Sequence, residues 1–250
     1  MRPFILLSLG FGLFFQVPPS AFADELLNRV VENVRSYDQT LPSITAEEAI
    51  SSEMRHGVYT SRAEAKAVMR VFKAGDDQYL KEVRTFSTVN GKIVPQGARP
   101  PEMPFVMQGS FSGFADLFFS QKNFPCYVMT RLSGAAADGT VSYSISINPQ
   151  AEAHCNMKGL TLTGLVRIDP QTAHIVHMER SMPVPPAGSS HWVSLEKIDY
   201  APAMIGDQTF WLPTVLTAEY DKGKGHFSAR YSSYHRFTAS VTVVPATAVE

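Results

Sequence analysis

The chain has 250 residues, of which 44% are hydrophobic, and its formal net charge is −1. The Lys and Arg residues are scattered, and positive and negative charges nearly balance. No overall electrostatic field therefore attracts nucleic acid or anionic lipid, and nucleic-acid binding is not expected. The length suits a single domain with a sizeable hydrophobic core.

Residues 1–23 show the three zones of a secretory signal peptide. Arg2 supplies a positive charge, residues 4–17 form an apolar stretch, and Ala21-Phe22-Ala23 gives the small-x-small pattern of a cleavage site. The apolar stretch is shorter than the roughly 20 residues that cross a bilayer, and an uncleaved anchor is the alternative. We expect an exported precursor, with residues 24–250 forming one soluble domain in the periplasm or outside the cell and no transmembrane span in it.

An amphipathic helix is predicted at residues 24–38. Leu27, Val30, Val31 and Val34 fall at helical spacing and form one apolar stripe. Leu41-Pro42 ends the helix, because a residue that precedes proline disfavours helical backbone angles. Such a stripe must pack against an apolar surface elsewhere in the fold.

Alternation of apolar and polar residues begins near Ile44 and is typical of β-strands. Residues 44–54 suggest a strand, although their Glu and Ala content also allows a helix, and residues 63–73 alternate more weakly. A further strand at residues 79–89 is followed by Asn90-Gly91, which indicates a tight hairpin. The Pro-rich segment 95–104 cannot lie inside a sheet.

A second, short helix is predicted at residues 109–120. Phe111, Phe114, Leu117 and Phe118 are spaced i, i+3, i+6 and i+7. Four large apolar side chains on so short a helix imply deep burial.

From Cys126 onward the chain has a β pattern. Eight strands are predicted at residues 126–132, 140–147, 160–168, 174–181, 191–200, 209–220, 226–236 and 238–244. Clear turn signals at even spacing separate them, which is typical of an antiparallel meander, sandwich or barrel.

The two cysteines, Cys126 and Cys155, both lie in the expected exported part. In an oxidising compartment such a pair usually forms a disulfide bond, which we predict here. Two buried free thiols are the alternative.

Two segments resemble a known group of proteins. They are Gly164-Leu165-Val166-Arg167-Ile168-Asp169-Pro170-Gln171-Thr172 and Ile205-Gly206-Asp207-Gln208-Thr209-Phe210-Trp211-Leu212-Pro213. With the order of the predicted elements, they resemble the periplasmic lipoprotein carriers and receptors of the Lol type, and also uncharacterised exported proteins of acidobacteria. The resemblance implies a mainly β fold with two or three helices, in which an incomplete antiparallel barrel of about ten to eleven strands wraps over the helices. It also implies a lipid or acylated-protein ligand.

Motifs for catalysis or metal binding are not found in the sequence. His174 and His177 are three apart on a predicted strand and face opposite sides, so they cannot chelate one ion together. The segment Gly109-Ser110-Phe111-Ser112-Gly113 differs from a serine-hydrolase elbow, and nothing in the sequence pairs the carboxylates of Glu196, Asp199, Glu219 and Asp221. We therefore expect no cofactor, no metal and no enzymatic activity, with an undetected hydrolase as the least favoured alternative.

Large aromatic residues suggest an apolar cavity. The candidates for its lining are Phe111, Phe114, Leu117, Phe118 and, at its rim, Trp211. An ordinary filled core explains the same residues. The favoured function is an envelope protein that binds a lipid, an acyl chain or another hydrophobic ligand, and the alternative is a non-catalytic interaction or structural protein that meets another envelope protein.

Overall fold

The structure is a computed structural model that describes residues 24–73, 80–99, 102–134, 136–151, 155, 157, 159–189 and 192–237. The predicted signal peptide at residues 1–23 and the predicted strand at 238–244 lie outside the described residues. Within the described residues, each helix is too short or too polar to cross a membrane.

In the part of the chain that the structure describes, eleven strands form one antiparallel sheet. They are β1 (Ile44–His56), β2 (Tyr59–Lys73), β3 (Leu80–Val89), β4 (Lys92–Ile93), β5 (Tyr127–Arg131), β6 (Val141–Ile147), β7 (Thr163–Ile168), β8 (Ile175–Ser181), β9 (Val193–Ile205), β10 (Gln208–Tyr220) and β11 (Gly225–Arg236). Their order is β4-β3-β2-β1-β11-β10-β9-β8-β7-β6-β5, so β1 and β11 meet in the middle while β4 and β5 are the edges. The sheet is therefore open.

The α-helices α1 (Glu25–Thr40) and α2 (Ser110–Phe119) cover one face of this sheet, and a short 3-10 turn spans Phe124–Cys126. One core cluster contains buried residues of both helices and of strands across the sheet. The covered face is called the inner face here. The predicted fold, an incomplete antiparallel barrel wrapped over helices, is confirmed.

Helix α1 begins at Asp24, whose side chain accepts a hydrogen bond from the backbone N–H of Leu26 at 3.0 Å. Leu27, Val30 and Val34 of the predicted stripe are buried against the sheet. The helix continues to Thr40, two residues beyond the prediction, and ends immediately before Leu41-Pro42.

Strand β1 follows the predicted alternation and turns its even-numbered side chains, Ile44 to Ser52, toward the interior. Strand β2 begins at Tyr59, four residues earlier than predicted, because β1 and β2 remain paired out to His56 and Tyr59. Residues 59–62 are all exposed, so they carry no apolar alternation that would mark a strand.

Strand β9 is longer than predicted and continues past Tyr200 through Pro202 to Ile205. A proline lacks the N–H that a central strand donates. Its neighbour β8 pairs with β9 only as far as Asp199, so Pro202 lies beyond that ladder. Pro202 instead stands opposite Trp211 of β10.

The predicted disulfide bond joins Cys126 and Cys155, with 5.8 Å between their Cα atoms. It ties the turn before β5 to the loop between β6 and β7, where the backbone N–H of Asn148 also donates to the carbonyl of Cys126 at 2.8 Å. The two cysteines are 29 residues apart in the sequence. In the chain-entropy model, closing a loop of that length stabilises the fold by about 3–4 kcal/mol.

Candidate functional site

A crevice of about 60 Å³, open to solvent, lies between α1, α2 and the inner face of the sheet. Most of its wall is apolar or aromatic, which suits a hydrophobic ligand. Its lining residues are Val30, Asn33, Val34, Tyr37, Asp38, Phe111, Ser112, Ala115, Asp116, Ala173, His174, Ile175, Tyr200 and Trp211.

One wall is α1, which the turn between β7 and β8 holds in place. Arg29 donates to the carbonyl of Gln171 at 2.7 Å, and the Asn33 amide donates to the carbonyls of Thr172 and Ala173 at 3.0 Å each. Asp169 shapes this turn by accepting from the backbone N–H of Gln171 at 2.8 Å, the hydrogen bond that contributes most to its lowered pKa. Residues 164–172, the first of the two segments that resemble Lol-type proteins, therefore contain the turn that anchors α1.

Gly164, which opens that segment, allows β7 and β8 to approach each other. A Cβ atom at this position would lie 2.8 Å from the carbonyl oxygen of Glu179 on β8. A side chain there would push the strands apart and shift the turn that holds α1.

The opposite wall is α2, which Glu82 of β3 fixes at its N-terminus. Gly109 precedes the helix with a φ of +78° and offers no side-chain cap. One oxygen of Glu82 accepts from the backbone N–H of Gly109 at 2.9 Å, and the other accepts from the backbone N–H and hydroxyl of Ser112 at 2.7 and 2.8 Å. A carboxylate satisfies the free N–H groups and the positive end of the helix dipole.

Ion pairs also lie on the inner face. Arg84 contacts the Glu48 carboxylate at 2.5 and 2.8 Å and also donates to the carbonyl of Met107 at 2.9 Å. Arg180 donates to Glu196 at 2.6 Å. Burial raises the pKa of Glu196, and the positive charge of Arg180 opposes that effect.

Asp38 of α1 and Asp116 of α2 face each other across the crevice and hydrogen-bond when one carboxyl group is protonated. Burial, and then the neighbouring charge of Asp116, raise the pKa of Asp38 to about 7, while Lys73 opposes the shift. Burial likewise raises the pKa of Asp116, against the hydrogen bonds from Asp38 and Ser120. Below about pH 7 the pair therefore retains a proton between the two helices.

This shared proton predicts a pH dependence of stability. The unfolded chain, with an ordinary Asp pKa, releases this proton near pH 4, whereas the folded protein keeps it up to about pH 7. The free energy of unfolding should therefore fall as the pH rises through that window, and Asp38→Asn should remove this part of the slope. Urea unfolding at pH 5 and pH 8 measures it. Asp207→Asn, in the exposed turn after β9, should keep the wild-type slope, and an equal slope in Asp38→Asn would contradict the assignment.

Aromatic and tyrosyl side chains complete the crevice. The His174 ring stacks on Trp211 with 4.9 Å between ring centroids. Burial lowers the pKa of His174, so its ring is neutral at pH 7 and adds no charge to the apolar wall. Burial raises the pKa of Tyr37 and Tyr200, whose hydroxyl groups therefore keep their protons.

The five cavity candidates divide into two groups. Phe111 and Trp211 line the crevice together. Phe114 and Phe118 are buried in the core and pack edge-to-face at 6.0 Å, and Leu117 packs against the same core from a partly buried position. These three side chains are not among the lining residues of the crevice.

Several residues that shape the crevice could not be found from sequence motifs. Asp38, Asp116 and Glu82 come from three different elements, and no motif joins them. The inward position of Glu48 could have been predicted, because in the alternating pattern of β1 it falls on the same face as the buried Ile44 and Ile50. A carboxylate at an inward position requires a buried partner, which is Arg84.

The polar residues considered for catalysis lie apart. His177 is held between Asp199 at 2.6 Å and Glu179 at 2.9 Å, whereas His174 stacks on Trp211. Glu196 pairs with Arg180, and Asp221 with Lys224. Across the described part of the chain, no group of three His, Cys, Asp or Glu side chains could hold a metal ion.

Several solved structures are similar to this chain. A domain from Vibrio parahaemolyticus described as an outer membrane lipoprotein-sorting protein domain has 13% identity and a TM-score of 0.48 over 88% of this chain and 95% of its own. A DUF1329 family protein from Desulfovibrio piger has 10% identity and a TM-score of 0.47 over 87% and 94%. A LolA superfamily protein from Nitrosomonas europaea has 10% identity and a TM-score of 0.38 over 86% and 94%.

Proteins of the superfamily predicted from the sequence are thus among these similar structures. No protein-family model and no curated protein matches the sequence. The TM-scores given above are below 0.5, so they carry no function over to this chain, and the resemblance to acidobacterial proteins stays a prediction.

Proposed function

We propose that residues 24–250 form an exported, non-catalytic domain that binds a lipid, an acyl chain or another hydrophobic ligand between its helices and the sheet. The observation that carries the proposal is the crevice, whose walls combine apolar side chains of both helices and the sheet. Val30 and Val34 of α1 and Phe111 and Ala115 of α2 all line it. Apolar walls with a few polar groups are the usual composition of a hydrophobic ligand site.

The ligand enters by widening the crevice. Its present volume of about 60 Å³ is small, whereas pockets that enclose a small molecule commonly hold roughly 300–1,000 Å³. The two helices are anchored to different parts of the sheet, α1 to the β7–β8 turn through Arg29 and Asn33, and α2 to β3 through Glu82. Because neither anchor crosses the crevice, the helices can separate while both stay attached.

The polar lining gives the site a preferred end for a ligand head group. Tyr37 and Asp38 line the crevice toward the C-terminal end of α1, beyond Val30 and Val34, and Asp116 of α2 contacts Asp38 there. The acyl part would pack on Val30, Val34 and Trp211, and the polar part would contact the carboxyl pair. Loss of the shared proton makes the Asp38 and Asp116 carboxylates repel each other, which favours the open arrangement.

Filling the crevice tests this proposal. Ala115→Phe adds a ring where α2 lines the crevice, and we expect the affinity for a fluorescent fatty-acid probe to fall at least about tenfold, since a ligand and the new side chain compete for the same volume. Ala98→Phe adds the same bulk at an exposed loop position and should bind as the wild type does. A wild-type protein that takes up no probe, or an Ala115→Phe variant with unchanged affinity, would refute the proposal.

A second candidate is a non-catalytic envelope interaction protein with a filled interior. The burial of Phe114 and Phe118, together with the small volume of the crevice, favours it. In that case the folded wild-type protein takes up no probe, and Ala115→Phe acts only on stability.

A further inference from the structure

The hairpin between β1 and β2 projects beyond the rest of the sheet. Pairing of β1 with β11 ends at Met54 and Gly225, and pairing of β2 with β3 ends at Ala65 and Val89. Pairing of β1 with β2 continues to His56 and Tyr59. Residues 55–60 therefore form a two-stranded extension. Together with Ser61 and Arg62, which pair with Met54 and Glu53, they are called the arm here, and all residues of the arm are exposed.

The tip of the arm is apolar. After Gly57, which has a φ of +61°, Val58 is 92% exposed and Tyr59 is 78% exposed. Hairpin turns usually carry Asn, Asp, Gly or Ser, which tolerate water and unusual backbone angles. Two adjacent large apolar residues at this position stabilise nothing within the described fold, because they contact no core.

Basic residues surround the base of the arm. The backbone N–H of Arg55 donates to the carbonyl of Lys224 at 2.8 Å, which joins the arm to the turn between β10 and β11. Arg62 pairs with Glu53 and Lys224 pairs with Asp221, both at 2.7 Å.

Within the described part of the chain, Arg55 and Lys222 form no ion pair with a carboxylate, and the Lys222 ammonium lies 6.0 Å from the centroid of the Trp192 ring. Residues 53–62 and 221–224 together carry four Arg or Lys side chains and two carboxylates, a local charge of +2, while the whole chain has a charge of −1. The arm and the turn thus form a basic corner on a protein that is slightly acidic as a whole.

We propose that the arm docks the protein on an anionic membrane surface, with Val58 and Tyr59 entering the interfacial layer and Arg55 and Lys222 contacting negatively charged head groups. Tyrosine prefers the membrane–water interface because its ring is apolar and its hydroxyl is polar. Each cation near such a surface strengthens binding about fivefold. Addition of a protein strand to the arm is disfavoured, since charged side chains on exposed strands oppose edge-to-edge pairing.

This docking is independent of the proposed ligand crevice, because no residue of the arm lines it. The two proposals therefore fail separately. Ala115→Phe should bind vesicles as the wild type does, and variants of the arm should bind the fatty-acid probe as the wild type does.

Co-sedimentation with vesicles tests the arm. We expect the protein to bind vesicles of phosphatidylglycerol and phosphatidylcholine in equal parts more tightly than vesicles of phosphatidylcholine alone, and added salt to weaken that binding. Val58→Ser with Tyr59→Ser should lower vesicle affinity about tenfold, and Arg55→Ser should lower it about fivefold. Because these side chains are exposed, the variants should unfold at the wild-type urea concentration.

The matched control is Val128→Ser with Met204→Ser, which removes two other exposed apolar side chains and should leave vesicle binding unchanged. Equal sedimentation of the arm variant and the wild type would overturn the proposal. The absence of wild-type binding to anionic vesicles would also overturn it. In that case a photocrosslinker at position 59 would show whether the arm contacts a protein instead of lipid.

Discussion

Arg84→Met should lower the free energy of unfolding by about 3–5 kcal/mol, because it leaves the buried Glu48 carboxylate without a partner. Arg84 and Glu48 are 8% and 0% exposed, and the guanidinium also satisfies the carbonyl of Met107 ahead of α2. A loss of this size is a large fraction of the roughly 5–15 kcal/mol that holds a typical domain folded. Urea unfolding monitored by circular dichroism measures it.

Arg62→Met is the matched control for this prediction. Arg62 pairs with Glu53 at 2.7 Å, but its side chain is 75% exposed, so water screens the interaction. Its removal should change stability by less than about 1 kcal/mol. Replacing Glu48 by Leu in the Arg84→Met background should restore part of the lost stability, since no buried charge then lacks a partner. Equal losses of unfolding free energy in Arg84→Met and Arg62→Met would show that water screens the Arg84–Glu48 pair as well.

Phe118→Ala should lower the free energy of unfolding by about 3–5 kcal/mol. The ring is 0% exposed, and it packs on Phe114 and Tyr127 with ring centroids 6.0 and 4.9 Å away. Leu117→Ala, on the same helix but at a partly buried position, should cost less.

Phe118→Ala also separates the core from the crevice. Because Phe118 does not line the crevice, the affinity for the fatty-acid probe, measured well below the melting temperature, should stay within about twofold of the wild type. A variant that keeps its stability but loses probe binding would place Phe118 in the ligand site instead of the core.

The sequence was sufficient to predict the elements whose patterns are local. The stripe of Leu27, Val30 and Val34 predicted α1 because each helical turn repeats the same contact with the sheet. Alternation in β1 and β2, and even turn spacing after Cys126, predicted the strands. The open antiparallel fold followed from these patterns together with the resemblance, whereas the disulfide bond followed from the expected oxidising compartment and the presence of two cysteines.

The arrangement of the crevice could not be predicted, because it depends on contacts between distant parts of the chain. Phe111, Phe114 and Phe118 look alike in the sequence, and only the docking of α2 on Glu82 decides which of them faces the crevice. Asp38 and Asp116 are brought together by the same docking. The arm was also missed, since residues 55–62 are held by β1–β2 pairing and have no buried face.

Quenching of tryptophan fluorescence by a brominated acyl chain tests the central claim most directly. The chain has two tryptophans, and Trp211 lines the crevice while Trp192 lies elsewhere and donates to the carbonyl of Met182 at 2.7 Å. In Trp192→Phe only Trp211 reports, and we expect saturable quenching by the brominated chain. In Trp211→Phe only Trp192 reports, and its fluorescence should not change. Quenching of Trp192 alone, or of neither residue, would contradict binding in the crevice.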